Sequence, residues 1–382
     1  MPLRHGLFFA ISVLLMLIAE YGFVSSAAAQ PLELETWLGP QNWRRDVDGP
    51  ILSLGKSGEF DDTHIFAPMV AWDQNQFLLW YCGSQGFAHD LAQERTVDER
   101  VFKVGLATSK DGKRFERHPG SPVFALDDDK RSVLTPTVLR NADGSVLREK
   151  GKMRMWFSSG TLGGGGRVQS IQETSSVDGI HWSKASPVQL ERAYAPTVIW
   201  TEDGYQMWYT VPGRYPWLMK HARSDDGRKW VVTEEPVLKV TQDWEHYLQI
   251  YPTVTKIGNV YLMWYASYLH KNRETTAIGF AVSLDGLTWY KHPQNPVFRP
   301  DPGRPWESHY VSSQSVIRMS DGSFRMWYAS RKKPPFTNLY FALNTAHWSG
   351  PTVVGRSPDR STAPTSPPHP SPRAQGRATQ GG

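Results

Sequence analysis

The 382-residue sequence predicts an all-β protein: a five-bladed β-propeller, with four-stranded antiparallel blades around a central channel. Three observations carry this reading. A Trp in a short apolar run recurs five times, as FLLWY (Trp80), MRMWF (Trp156), YQMWY (Trp208), YLMWY (Trp264) and FRMWY (Trp327). Upstream of these stand FAPMV, LTPTV, YAPTV, IYPTV and, with Gln in place of Pro, SSQSV. Downstream of the first four come SKDGKRF, SVDGIHW, SDDGRKW and SLDGLTW. Self-similarity at this spacing marks one supersecondary unit per copy, stacked into an array.

Within a copy every element reads as β. The apolar runs are four to six residues long, bounded by Gly, Asp, Asn and Pro, with no sustained helical period. The Pro-Thr-Val run supplies an inner strand and the Met-Trp-Tyr run a second. A third ends at Ser-x-Asp-Gly, and a fourth starts at the following aromatic. In that turn the Asp carboxylate can bond backbone N–H groups, and the Gly accepts positive φ. The aromatic after the turn can pack between neighbouring sheets. The fifth copy keeps only a worn third strand ending at His347-Trp348. Near the N-terminus, Gln41-Asn42-Trp43-Arg44-Arg45 and the following Asp48-Gly49-Pro50-Ile51-Leu52 resemble a detached fourth-strand segment. It is expected to complete the last blade beside Tyr340-Phe341-Ala342-Leu343, with residues 347–351 competing for that edge. Joining the two ends leaves the ring without open edges.

The chain ends carry different signals. Residues 1–29 read as a secretory signal, with an apolar run over 7–19 and a small-residue site, Ala27-Ala28-Ala29, before Gln30. Thirteen apolar residues are too few to cross a bilayer, so the mature chain is expected to be exported, periplasmic or extracellular, without membrane contact after cleavage. The single cysteine, Cys82, excludes a disulfide scaffold and a Cys-based zinc site. Residues 349–382 are Pro, Ser, Thr, Gly and Arg with almost nothing large and apolar, the composition of a disordered tail. That tail has four Arg against one Asp and so holds +3 of the net +5, which leaves no basic stripe on residues 30–348 for a nucleic acid.

The exported chain, the five copies, the Met-Trp-Tyr strands and the Ser-x-Asp-Gly-x-x-Trp turns together resemble the five-bladed arabinanase–levansucrase–invertase superfamily of glycoside hydrolases. The resemblance covers about residues 37–348. It implies a funnel at the end of the channel where the inner strands begin, with three catalytic carboxylates on blades one to three. Two are Asp directly before the Pro-like position of blades one and two, and the third is a Glu two residues before it in blade three. Those positions here hold Ala67, Thr135 and Tyr194, none of them acidic.

Other carboxylates are near in sequence. Seven residues before the Pro, or Gln314 in blade five, stand Asp61, Asp129, Glu245 and Glu307, with Gln189 in blade three. A ring of acids at the mouth is one reading, and a carboxylate serving each blade is the other; the repetition favours the second, because sites break a repeat. Departures from the repeat therefore supply the candidates. A glycosidase needs one carboxyl as acid and another as base or nucleophile. Asp62 and Glu191 are the expected pair, with His64 as a substitute proton donor. Arg192, Arg214, His246, Gln249, Tyr251, His309, Tyr310 and Arg331 are expected to bind substrate. The loops between second and third strands are basic (Arg214, Lys271, Arg331), and suit a sugar bearing carboxylate or sulfate. The long loop 83–102 carries further charges, and the run Gly163-Gly164-Gly165-Gly166 reads as a loop, since no helix follows it to cradle phosphate. No metal or cofactor motif is present: the sequence has no His-x-x-x-His, and Asp127-Asp128-Asp129 lacks the later ligands of a calcium loop.

The expected function is thus an exported glycoside hydrolase-like monomer acting on a poly- or oligosaccharide. A carbohydrate-binding propeller without catalysis is the alternative. A sialidase-like enzyme is the third reading, because the turn approaches the sialidase Asp-box; that box has an extra residue before its Gly, and sialidases have six blades.

Overall fold

The computed structural model describes residues 30–85, 100–161, 169–271, 275–332 and 342–351. The leader, nearly all of the tail, most of the 83–102 loop and the Gly163–166 run lie outside the described residues.

Five antiparallel sheets follow one another in chain order. Blade one comprises β1 (His64–Asp73), β2 (Gln76–Ser84), β3 (Lys103–Ser109) and β4 (Glu116–Arg117). Blade two comprises β5 (Ser132–Val138), β6 (Met153–Gly160), β7 (Ser170–Ser176) and β8 (Leu190–Glu191). Blade three comprises β9 (Tyr194–Thr201), β10 (Gly204–Val211), β11 (Leu218–Ser224) and β12 (Val231–Val232). Blade four comprises β13 (His246–Ile257), β14 (Val260–Tyr268), β15 (Thr276–Ser283) and β16 (Tyr290–Lys291). Blade five has three strands, β17 (Tyr310–Arg318), β18 (Phe324–Arg331) and β19 (Ala342–Trp348). Its missing outer strand comes from the N-terminal segment, which bridges Arg44 to His347 and Leu52 to Leu343. The ring closes at the edge expected from the sequence, and residues 349–351 are not part of that sheet.

The repeated Trp and the repeated Asp-Gly turn turn out to be partners across each blade junction. Trp80 Nε1 donates to the Gly179 carbonyl of blade two at 2.9 Å, and Trp156 Nε1 to Gly227 of blade three at 3.0 Å. Trp208 does the same to Gly286 of blade four at 2.8 Å. In each turn the Asp carboxylate accepts from the two N–H groups after the Gly, as Asp178 does from Ile180 and His181. A Cβ on Gly179 would stand 2.8 Å from the Trp80 ring, and its φ is +78°, so both sterics and backbone require glycine there. After three of the turns the aromatic packs edge-on against the same Trp, as Trp182 on Trp80, Trp230 on Trp156 and Trp289 on Trp208, and Trp43 of the N-terminal segment takes that place on Trp264.

The acids seven residues before the Pro serve their blades. Asp61, buried, accepts from the Tyr81 hydroxyl and from Arg117 Nε, at 2.7 and 2.9 Å. Glu245 accepts from Tyr265 and Lys291, at 2.8 and 2.6 Å. Glu307 accepts from Tyr328, and Arg45 lies 2.6 Å away. The Tyr follows the repeated Trp, and the cation comes from the fourth strand or, in blade five, from the N-terminal segment. Blade two has Phe157 where the Tyr would be, and its Asp129 is exposed. Blade three has Gln189 and Val232 where acid and cation would be, so both charges are lost together. A buried carboxylate without its cation would be costly.

Candidate functional site: an aromatic funnel on the channel axis

Each inner strand carries a bulge at the residue before its Pro or Gln. Ala67, Thr135, Ala195, Tyr251 and Ser313 all have left-handed φ, between 47° and 56°, and all five strands show a register break at that point against the second strand, as in β1 between Phe66 and Met69. Non-glycine residues adopt this region at a cost, so a fivefold recurrence marks a backbone held by its surroundings. These residues line a narrow polar channel of about 40 Å³, with Thr137, Thr197, Thr253 and Ser315.

Above the bulges the channel opens into a funnel of about 230 Å³. Its wall is aromatic: Phe66 and Phe102 from blade one, Tyr194, Tyr215 and Trp217 from blade three, Tyr251 and Tyr268 from blade four, and Tyr310 from blade five. Tyr215 and Trp217 are stacked, with centroids 5.7 Å apart and planes 12° apart. The indole Nε1 of Trp217 donates to Gly213 O. Tyr194 and Tyr251 hydroxyls meet at 3.2 Å. Polar groups in the wall are His64, Arg100, Gln169, Thr276, Ser312 and Ser313, and no Asp or Glu among the described residues lines it.

His64 is buried at the rim of β1, with its Nδ1 3.1 Å from Arg100 Nη1. A guanidinium only donates, so Nδ1 accepts and the neutral ring carries its proton on Nε2. Burial, then the charges of Arg100 and Arg331, push the imidazole well below 6.5. The expected proton donor thus stands in the funnel wall as a buried ring whose charged form is disfavoured. The Arg331 guanidinium lies over the Tyr310 ring, 4.2 Å from its centroid.

The structure thus brings His64, Tyr251 and Tyr310 to the funnel wall, with Arg331 against Tyr310. It places the expected acids elsewhere. Asp62 is half-buried in the turn before β1, where its oxygens accept from Gly58 N–H at 2.8 Å and Thr63 Oγ1 at 3.0 Å. Glu191 is exposed on β8, the outermost strand of blade two, paired with Ser170. Arg192 is exposed beside it, with Nη2 near Gly213. Arg214 is exposed in the β10–β11 loop. His246 starts β13 half-buried, and His309 Nε2 lies 3.2 Å from Thr275 Oγ1. Gln249 is fully buried, and its amide donates to Lys239 O and Glu245 Oε1; the alternation of β13 turns it away from the funnel into the carboxylate network of blade four. Sequence reasoning missed Phe66, Phe102, Tyr194, Tyr215 and Tyr268 as lining. Their signal was present: each stands at the start of an inner strand or at the edge of a second-to-third-strand loop.

No family model matches the sequence. Over 218 residues the chain is 30% identical to the uncharacterized proteins MT1551 and Rv1502 of two Mycobacterium tuberculosis strains, covering 54% of this chain and 67% of each relative. The chain belongs to the family of Rv1502. Among solved structures, a glycosyl hydrolase from Bacteroides ovatus superposes with a TM-score of 0.62 at 14% identity, over 84% of this chain and 95% of that one. A thermostable family-43 glycoside hydrolase superposes at 0.56 with 18% identity, over 81% and 100% of the two chains. The Rv1502-like chain therefore shares its five-bladed fold with glycoside hydrolases, in agreement with the resemblance read from the repeats.

Proposed function

We propose that this Rv1502-family propeller binds a poly- or oligosaccharide in the funnel, as an exported carbohydrate-recognition protein. One observation carries the reading: the funnel wall presents eight aromatic rings, and among the described residues no carboxylate. Apolar sugar faces stack on such rings, while the hydroxyls of Tyr, Ser and Thr and the Gln169 amide supply orienting hydrogen bonds. Two carboxyls at a fixed separation are the usual requirement for glycoside cleavage, and neither Asp62 nor Glu191 lines this wall. Arg100 in the wall and Arg331 over the Tyr310 ring favour a sugar bearing a carboxylate or sulfate over a neutral one. The leader reading places the funnel outside the cytoplasm, where such polymers are met.

The fold shared with glycosyl hydrolases supports a second reading, in which the same funnel cleaves the glycan it binds. Titration calorimetry with neutral and uronate-bearing oligosaccharides, alongside a reducing-end assay on the same preparations, separates the two. Binding of the acidic series without new reducing ends supports recognition. New reducing ends would establish the hydrolase, and absence of both signals across the panel would sink the carbohydrate reading.

A further inference from the structure

At the end of the channel away from the funnel, three residues line both the 40 Å³ channel and a second cavity of about 220 Å³ below it: Thr137, Arg140 and Thr197. Arg140 follows β5 and reaches to the inner strands of blades one and five. Its Nη1 donates to Val70 O and, at 3.1 Å, to Ser315 Oγ; its Nη2 donates to Val316 O at 2.8 Å. A guanidinium has five N–H donors, so Nε–H and one Nη2 hydrogen have no protein acceptor among the described residues. The side chain is half-buried, facing the channel; desolvation pushes the group down to about 10, and no carboxylate offsets it. The acid lining the lower cavity, Glu202, is held by Lys256 at 2.8 Å.

Thr137 and Thr197 add to this imbalance. They are 5% and 9% exposed, and among the described residues neither hydroxyl has a hydrogen-bond partner. A positive charge and two hydroxyls without protein partners therefore face a space of about 40 Å³, ample for one small ion and a water molecule or two. A guanidinium confined in a channel without a carboxylate favours an anion, and hydroxyls that open on the same channel can donate to it. A cation would be repelled by the guanidinium, and a sugar ring is too large for the channel.

We propose that this junction binds one small monovalent anion of chloride size, held by Arg140 and by the hydroxyls of Thr137 and Thr197. The ion completes the tie that Arg140 makes between blades one, two and five, so it stabilises the fold and acts independently of whatever the funnel takes. Bromide is the probe. In crystals of the full chain soaked in sodium bromide, an anomalous peak is expected within about 3.5 Å of the Arg140 guanidinium and of a Thr hydroxyl. In solution, Tm is expected to rise with sodium bromide above its value in sodium gluconate of equal ionic strength, with saturation. Thr197→Val keeps shape and removes one donor; its half-saturating bromide concentration should rise about tenfold. Arg140→Met should lose the bromide response, and if it does not fold, Thr197→Val decides alone. No peak in the channel, a peak without saturable stabilisation (an adventitious ion only), or an unchanged half-saturation in Thr197→Val would each overturn the proposal.

Discussion

Trp327 Nε1 in blade five donates to the carbonyl of Gly112 in blade one at 2.8 Å, across 215 residues of sequence. It is the same latch that joins blades one to two, two to three and three to four, now closing the ring. The junction from blade four to five differs: Trp264 Nε1 reaches Gln41 Oε1 at 3.4 Å, because the worn fifth copy has lost its Asp-Gly turn and the N-terminal segment stands in. Trp327→Phe removes the donor, strands the buried Gly112 carbonyl and leaves a small void. A loss of about 2–4 kcal/mol is expected in chemical denaturation. Trp264→Phe, with the longer bond to a side chain, should lose less. Equal losses would show that ring volume alone matters.

Arg45 and Glu307 test the carboxylate network at the closure. Arg45 Nε lies 2.6 Å and Arg304 Nε 3.2 Å from the same Glu307 oxygen, while Tyr328 bonds the other. Burial raises the Glu307 carboxyl from its usual value despite these cations. Arg45→Met removes one of them and is expected to cost about 2–4 kcal/mol near pH 7. A carboxyl raised in the folded state releases its proton more readily when unfolded, so the deficit should grow as pH rises through the carboxylate range. Adding Glu307→Gln should recover part of the loss and flatten that slope. No recovery in the double variant would mean that Arg45 acts by packing over Phe298, whose ring its guanidinium covers at 4.2 Å.

The repeats made the fold legible because they record a neighbour relation. Trp80 and Gly179 need each other, as do Tyr81, Asp61 and Arg117, so the motifs persist copy after copy. The site was less legible for the same physical reason. Candidates were sought where the repeat breaks and where charge accumulates, yet a loop consumes Asp62 and the blade-four network consumes Gln249. Side-chain alternation along β13, altered by the bulge at Tyr251, decides that Tyr251 faces the channel while Gln249 faces the blade, and a one-residue bulge is not visible in composition. The funnel wall is built from residues such as Phe66 and Leu134, which read in sequence as ordinary core.

Acid should destabilise the protein through its buried histidines. His221 donates from Nε2 to Gln206 Oε1 at 2.8 Å, and its Nδ1 is buried without a hydrogen-bond partner among the described residues. Burial, then the charge of Arg223, lowers the ring from 6.5 to about 4. His64 and His292 are lowered too, chiefly by burial. Below 6.5 the unfolded chain takes up protons that the folded chain refuses, so stability falls with pH from there. For His221 alone the loss should reach about 3 kcal/mol by pH 4. Thermal scans from pH 7.5 to about 4.5 should show Tm falling, with a shallower slope in His221→Gln. A parallel slope in that variant would assign the acid sensitivity to other groups.

Trp217 and Gln249 separate lining from scaffold. Trp217 is partly exposed in the funnel wall, stacked on Tyr215 and held by its bond to Gly213 O. If glycans stack there, Trp217→Ala should weaken binding about tenfold or more with only a modest loss of Tm, because the partly buried ring packs on the edge of the core and not within it. Gln249→Ala should do the opposite. Its amide satisfies Lys239 O and Glu245 Oε1 inside blade four, so removal should cost about 1–3 kcal/mol and leave affinity unchanged. Calorimetry and denaturation on both variants read the two axes. A Gln249→Ala variant that keeps its stability but loses ligand would return that residue to the site and move the binding surface away from the funnel wall.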